Sequence, residues 1–91
     1  MKPEIQPIQD AVAGLVRYLR SIEGAEREQA QKAAAIFEEQ AAFLSSDFDR
    51  AITWLNYSIS AKGIFDRAWS GESFNHLATL AAEVNKTLSR A

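Results

Sequence analysis

The chain offers few side chains that could carry out chemistry, and its one histidine stands alone. His76 is the single histidine, and the chain contains no cysteine. Metal sites in proteins are normally built from several His, Cys or carboxylate ligands that converge on one point. No His-x-x-x-His or Glu-x-x-His pair is present to supply them. We therefore predict no metal site and expect His76 to lie at the surface or to cap the last helix.

The carboxylates occur in two short runs, and we interpret both runs as solvated faces. Glu23, Glu26 and Glu28 form the first run, and Glu38 with Glu39 forms the second. Paired carboxylates can perform acid–base catalysis when burial separates their pKa values. Here the first run lies in the most polar stretch of the chain, and the second lies opposite an apolar stripe, which predicts contact with water.

Activated nucleophiles and phosphate-binding loops are also missing from the pattern. Ser58 and Ser60 have no nearby base, and no Gly-x-Ser-x-Gly turn surrounds either of them. The glycines are scattered rather than grouped into a phosphate-binding loop: Gly14, Gly24, Gly63 and Gly71. The sequence therefore predicts a protein that is not an enzyme and that uses no cofactor.

Large aromatic side chains are concentrated between Asp47 and Trp69, and they are the best functional candidates. If this segment is one helix, its apolar arc covers roughly 240°, against roughly 100° for an ordinary surface helix. One stripe has core-facing spacing and is predicted to be core: Phe48, Ile52, Leu55 and Ile59. The other apolar region is predicted to bind a partner: Trp54, Tyr57, Ile64, Phe65 and Trp69. Trp and Tyr are enriched at binding hot spots, although packing within the core is an alternative that the pattern leaves open.

The first half of the chain carries an apolar repeat of seven residues. The repeat runs from Ile5 to Phe43 and weakens only around Gly24. Two positions of the repeat form the stripe, the first held by Ile5, Val12, Leu19, Glu26, Ala33 and Gln40 and the second by Ile8, Leu15, Ile22, Gln29, Ile36 and Phe43, with Val16, Phe37 and Leu44 widening it. Two interpretations are open: one long helix from about Pro7 to Ser45, or two helices that meet at Gly24. Glycine is common just past a helix end, but no Ser, Thr, Asp or Asn follows to cap a new helix. The unbroken register favours the continuous helix, whose stripe would offer a surface for self-association.

Two turns divide the second half of the chain. Ser46, with Asp49 three residues later, resembles a capping box and predicts the start of a helix. The cluster Ser70–Ser73 predicts the end of that helix and the start of the next. The last helix is expected from about Ser73 to Ser89. Its apolar residues form a single stripe: Phe74, Leu77, Leu80, Ala81, Val84 and Leu88.

Length and composition indicate one all-α domain. The chain has 91 residues, of which 47% are hydrophobic and 24% charged, as in folded globular proteins. Ala, Glu, Gln and Leu are abundant and β-branched runs are absent, which favours helices. The predicted fold is a small bundle of three helices with a long first helix, or four if the chain breaks at Gly24. The helices are expected at about 7–45, 47–69 and 73–89, after a frayed lead-in at 1–6.

Charge and hydropathy narrow the choice of partner. The net charge is −2 and no long basic run is present, so general attraction to nucleic acid or anionic membranes is not supported. No apolar stretch approaches the ~18 residues that a membrane-spanning helix needs. We predict a cytoplasmic, non-catalytic protein that binds another protein, as an adaptor, chaperone, antitoxin, immunity protein or small inhibitor does. We also expect it to form a homodimer.

The alternative function is that of a small dimeric DNA-binding transcriptional regulator. Phe65–Trp69, the turn Ser70–Gly71 and the helix from Ser73 have the outline of a helix-turn-helix. The residues available to read bases would be Asn75, His76, Thr79, Asn85 and Lys86. A modest basic patch would have to support them: Arg17, Arg20, Arg50, Lys62 and Arg67. The acidic residues Glu72 and Glu83 count against this interpretation, because they would repel phosphate.

Overall fold

The computed structural model describes residues 5–59, 63 and 69–90, and these form four α-helices and one short 3-10 turn. The helices are α1 (Ile5–Ser21), α2 (Arg27–Ala42), α3 (Phe48–Ser58) and α4 (Gly71–Arg90), and the 3-10 turn spans Gly24–Glu26. These residues contain no strand, which confirms the predicted all-α fold. None of the four helices is long and apolar enough to cross a membrane.

The chain breaks at Gly24, so the prediction of one continuous first helix is wrong. α1 ends at Ser21, Glu23 is extended, and Gly24 has φ = +82°, in the left-handed region that glycine enters without steric cost. α2 then begins at Arg27 with no capping side chain. The missing cap misled the prediction, because packing against α1 can stabilise α2 without one. The four-helix alternative is the observed arrangement.

Gly24→Ala is expected to lower the free energy of unfolding by about 1–2 kcal/mol, because an L-residue needs that energy to enter the left-handed region. A methyl group there would meet no atom within 4 Å, so the backbone conformation alone sets the cost. Gly14→Ala is the matched control, since Gly14 lies inside α1 in equally open space. Alanine in that helix should raise the stability by about 0.5–1 kcal/mol. Urea denaturation of both variants tests the pair, and equal stabilities would contradict the left-handed turn.

The core is organised around one stripe of α1. Its members recur at the spacing of a single helix face and are all but inaccessible to water: Ile8, Val12, Leu15 and Leu19. α2 packs against α1 and buries three alanines and one large side chain: Ala30, Ala33, Ala34 and Phe37. Small side chains allow two helix axes to approach closely. The α1 part of the seven-residue repeat is therefore covered within the chain rather than offered to a second copy.

α4 also packs against α1 and buries a stripe of its own: Leu77, Ala81, Val84 and Leu88. The stripe predicted for this helix includes Phe74, but the structure leaves Phe74 45% exposed. Tyr18, near the end of α1, already contacts His76. The predicted core position of Phe74 is therefore wrong, and the contact of α4 with α1 at this end includes the stacked rings of His76 and Tyr18.

α3 is shorter than the helix predicted at 47–69. Its N-cap is Asp47 rather than Ser46, and the Asp47 carboxylate accepts a hydrogen bond from the backbone N–H of Arg50 at 3.4 Å. The helix ends at Ser58. Gly63 then comes so close to the Ser58 backbone that a Cβ atom would collide with it. A straight helix would carry residue 63 away from Ser58, so a continuous helix through residue 69 is wrong.

The core stripe predicted for α3 is confirmed in part, because the buried residues of the helix are Ala51, Leu55 and Ser58. Leu55 is fully buried, and Phe48, Ile52 and Ile59 are half-buried against the core. α3 packs mainly on α2 and contacts α4 much less. α3 is therefore covered where it faces α2, and its aromatic residue Tyr57 is left exposed.

Candidate protein-binding cleft

A cleft between α2 and α3 brings together two of the residues predicted to bind a partner. Trp54 and Tyr57 are three residues apart on α3, so they are neighbours on one side of that helix. The cleft has a volume of about 220 Å³. Its lining comes from α2, from α3 and from the turn after α3: Ala33, Ile36, Phe37, Trp54, Tyr57, Ser58 and Gly63. This feature is called the α2/α3 cleft below.

An aromatic pair forms the inner part of the α2/α3 cleft. The rings of Phe37 and Trp54 lie with centroids 5.3 Å apart at an angle of 80°, which is the edge-to-face geometry that aromatic quadrupoles favour. Phe37 is buried, and Trp54 is half-buried against the core. Trp54 therefore packs against the core, as the alternative interpretation predicted, and also lines the cleft in which we place the partner.

Two exposed apolar side chains flank the aromatic pair. Tyr57 on α3 is 59% exposed, and Ile36 on α2 is 41% exposed. The seven-residue repeat placed both Ile36 and Phe37 on the apolar stripe, but only Phe37 is buried. Adjacent residues on a helix are rotated by about 100° from each other, and at this contact Phe37 faces the core while Ile36 lies at its edge. The local sequence does not distinguish the two, because both apolar residues fit the stripe.

A second hollow lies beside the α2/α3 cleft and shares Trp54 and Tyr57 with it. Its remaining lining is polar, from the first turns of α3: Asp49, Arg50 and Thr53. The Arg50 guanidinium carbon lies 4.4 Å from the centre of the Phe43 ring, a cation–π contact that fixes the position of this charge. The same ridge of α3 therefore carries apolar contacts on one flank and a positioned cation on the other.

The other residues predicted to bind a partner lie elsewhere. Trp69 is half-buried against the core, directly before α4, and does not line the α2/α3 cleft. Ile64 and Phe65 are outside the residues that the structure describes. Of the five predicted binding residues, the structure thus unites Trp54 with Tyr57, and the binding role of all five stays a prediction.

Glu26 is not part of a solvated face, contrary to the sequence prediction. Its carboxylate is half-buried and reaches the start of α4, where it accepts hydrogen bonds from the backbone N–H of Ser70 at 2.5 Å and from Ser73 Oγ at 3.2 Å. The Ser70 hydroxyl also accepts a bond from the Ser73 backbone N–H at 3.4 Å. A negative charge at this end of a helix is favourable, because the first N–H groups of α4 point towards it.

Glu38 and His76 also have partners on α1. The Arg20 guanidinium donates to Glu38 Oε1 through both Nε, at 2.7 Å, and Nη2, which joins α1 to α2 at the surface. Glu38 was predicted to be solvated, and it is exposed but ion-paired. His76 is exposed, as predicted, and its ring stacks on Tyr18 with centroids 4.0 Å apart. These contacts connect helices, and neither belongs to the α2/α3 cleft.

The residues considered for reading DNA bases all lie on α4, and those considered for metal binding are not grouped among the described residues. The side chains proposed to read DNA are exposed on α4, with His76 engaged by Tyr18 and the Thr79 hydroxyl donating to the Asn75 carbonyl at 3.1 Å. Over residues 5–59, 63 and 69–90, no three His, Cys, Asp or Glu side chains are grouped so that they could hold a metal ion. Of the three large exposed apolar side chains among the described residues, Ile36 and Tyr57 meet at the α2/α3 cleft and Phe74 lies on α4.

Comparison of the chain with protein-family models, with curated proteins and with solved structures finds no match in any of the three. Its function is therefore argued from the geometry of its own surface.

Proposed function

We propose that this is a non-catalytic interaction protein that binds another protein through the α2/α3 cleft. The observation that supports the proposal is the pair of exposed apolar side chains, Ile36 and Tyr57, beside the aromatic pair Phe37 and Trp54. Adaptors, chaperones, antitoxins, immunity proteins and small inhibitors all act by such binding. A cytoplasmic location stays a prediction.

The composition of the cleft suits recognition of a protein. Tyr and Trp contribute large contact areas with few rotatable bonds, which explains why binding hot spots are rich in them. Trp54 is held by Phe37, so its ring is already in place before a partner arrives. Binding then has less conformational entropy to offset, because the aromatic surface is already ordered.

Replacing the exposed flanks of the cleft should remove binding while leaving the fold intact. We expect Tyr57→Ala and Ile36→Ser each to weaken partner binding about tenfold or more, the effect of truncating a hot-spot residue. Both side chains are largely exposed, so the melting temperature should change little. The measurement is photo-crosslinking in cells from a photoreactive residue at position 36, followed by affinity measurements on the captured partner with wild type and Tyr57→Ala.

Asn85→Ala supplies the control, because Asn85 is exposed on α4 and does not line the cleft. A photoreactive residue at position 85 should not capture the same partner. If Tyr57→Ala and Ile36→Ser both bind the captured partner as tightly as wild type does, the proposal is wrong.

We propose a homodimer, in which the partner is a second copy of the protein, as the specific case to test. Self-association would use the α2/α3 cleft, because the α1 stripe is already buried within the chain. Sedimentation equilibrium over a range of protein concentrations shows whether the protein forms a dimer or stays a monomer. A wild-type dimer that becomes a monomer in Tyr57→Ala supports the homodimer, and a wild type that is monomeric at all concentrations contradicts it.

A further inference from the structure

We infer that the occupant of the α2/α3 cleft is an acidic amphipathic helix of another protein, which inserts one large apolar side chain into the cleft and pairs a carboxylate with Arg50. This inference rests on the proposed function and adds the chemistry of the partner. It follows from the size of the cleft, the spacing of residues on α3 and the charge beside them.

The size of the cleft indicates an anchoring side chain rather than a small-molecule ligand. Pockets for drug-sized ligands usually have volumes of about 300–1,000 Å³ and enclose most of the ligand. The α2/α3 cleft holds about 220 Å³, and two of its lining residues, Ile36 and Tyr57, are exposed to solvent. A space of this size suits one large apolar side chain, with the backbone that carries it lying outside.

The spacing of the contact residues indicates that this backbone is a helix. Arg50, Trp54 and Tyr57 stand at positions i, i+4 and i+7 of α3, so they form one ridge along a single helix face. A partner helix that lies along such a ridge contacts it at the same intervals of one and two turns. The described residues include no sheet edge to which an extended strand could be added.

The charge on the ridge indicates an acidic partner. The Phe43 ring holds the guanidinium of Arg50, and no ion pair joins Arg50 to a described residue. Suppose that the apolar anchor of the partner helix occupies the cleft beside Tyr57. A carboxylate seven residues away on the partner helix then lies two turns, or about 10 Å, along its axis, which is where Arg50 lies. The planar guanidinium can bind a carboxylate through two hydrogen bonds, which favours Glu or Asp over a neutral side chain.

Asp49 lines the same hollow and carries the opposite charge, so its effect must be separated from that of Arg50. Asp49 lies in the first turn of α3, where a carboxylate is favourable to the helix itself. The two residues therefore lead to opposite predictions for the affinity of an acidic helix. Removing the positive charge of Arg50 should weaken the binding of that helix, and removing the negative charge of Asp49 should not.

The test is a displayed library of helical peptides. Each peptide carries one central Leu, Phe or Met, and the positions seven residues before and after it are varied among Glu, Gln and Lys. Peptides are selected for binding to the full chain and counter-selected against Tyr57→Ala. We expect the recovered peptides to carry Glu at one of the two varied positions. One recovered peptide is then titrated against wild type, Arg50→Gln, Arg50→Glu and Asp49→Asn.

We expect Arg50→Glu to bind that peptide about tenfold more weakly, Arg50→Gln to show a smaller loss, and Asp49→Asn to bind at least as tightly as wild type. The loss should shrink as salt is raised. If Tyr57-dependent peptides carry Gln or Lys as often as Glu, or bind Arg50→Glu as well as wild type, the acidic helix is wrong and the proposed function stands. If no peptide depends on Tyr57, the proposed cleft itself is wrong. Circular dichroism of each variant establishes that it is folded before it is titrated.

Discussion

Phe37→Ala is expected to remove about 3–5 kcal/mol of the free energy of unfolding, the range measured when a buried phenylalanine is truncated. Phe37 is buried between the helices and supports the edge of the Trp54 ring. Truncation would leave a cavity and remove the aromatic contact at once. Small domains have only about 5–15 kcal/mol of stability in total, so the variant should be close to unfolding at room temperature.

Ile36→Ala is the matched control, one residue earlier on the same helix. Ile36 is 41% exposed, so its truncation should cost less than about 1 kcal/mol. Urea denaturation followed by circular dichroism measures both variants. Similar losses for the two substitutions would show that α2 is rotated relative to the described arrangement, and the α2/α3 cleft would then lose its basis.

Leu77→Ala is expected to lower the free energy of unfolding by about 2–5 kcal/mol, because Leu77 is fully buried in the stripe by which α4 packs against α1. The cost combines the lost transfer of apolar surface with the cavity that remains. For a chain of this length, each kcal/mol lowers the melting temperature by about 4–8 °C. A decrease of 10 °C or more is therefore expected in a thermal melt.

Leu80→Ala tests the same helix with the same change of side chain. Leu80 lies three residues later and is only half-buried against the core. Its truncation should lower the free energy of unfolding by less than half as much as Leu77→Ala does, because fewer of its atoms lose contacts. If Leu80→Ala destabilised the protein more than Leu77→Ala, the face by which α4 packs would have to be reassigned.

The sequence was informative about which helix faces are apolar and less informative about where helices end. The periodicity of α1 and α4 placed Leu15, Leu19, Leu77 and Val84 on apolar stripes, and these residues are buried. Periodicity reports the rotation of residues about a helix axis, and this rotation is nearly the same in any helical fold. The all-α class and the apolar stripes could therefore be predicted.

The break at Gly24 could not be decided from the pattern, because the seven-residue repeat continues across it. A repeat that continues through a turn is compatible with one helix or with two helices whose apolar faces meet. The difference lies in the left-handed conformation of Gly24, which glycine permits but does not require. The early end of α3 has a related cause, since the close approach of Gly63 to Ser58 is a contact between backbones that no side-chain pattern reveals.

For the candidate site, the sequence predicted Trp54 and Tyr57 but not the contribution of α2. The position of Ile36 beside these residues depends on how α2 and α3 are packed, which is tertiary information. The carboxylate of Glu26 illustrates the same point, because its partners Ser70 and Ser73 are 44 and 47 residues away in the chain. Local charge patterns correctly describe a polar residue but cannot identify a distant hydrogen-bond donor.

The bond between Glu26 and the start of α4 has a consequence for the order of folding. α1, the 3-10 turn and α2 are consecutive in the chain, and contacts between such neighbours form rapidly. α4 can receive the Glu26 carboxylate only after a loop of 44 residues has closed. The entropy of closure grows only as the logarithm of loop length, so we expect this step to slow the docking of α4 more than it destabilises the docked helix. We therefore expect the first turn of α4 to be completed late in folding, after the contacts between neighbouring segments such as α1 and α2.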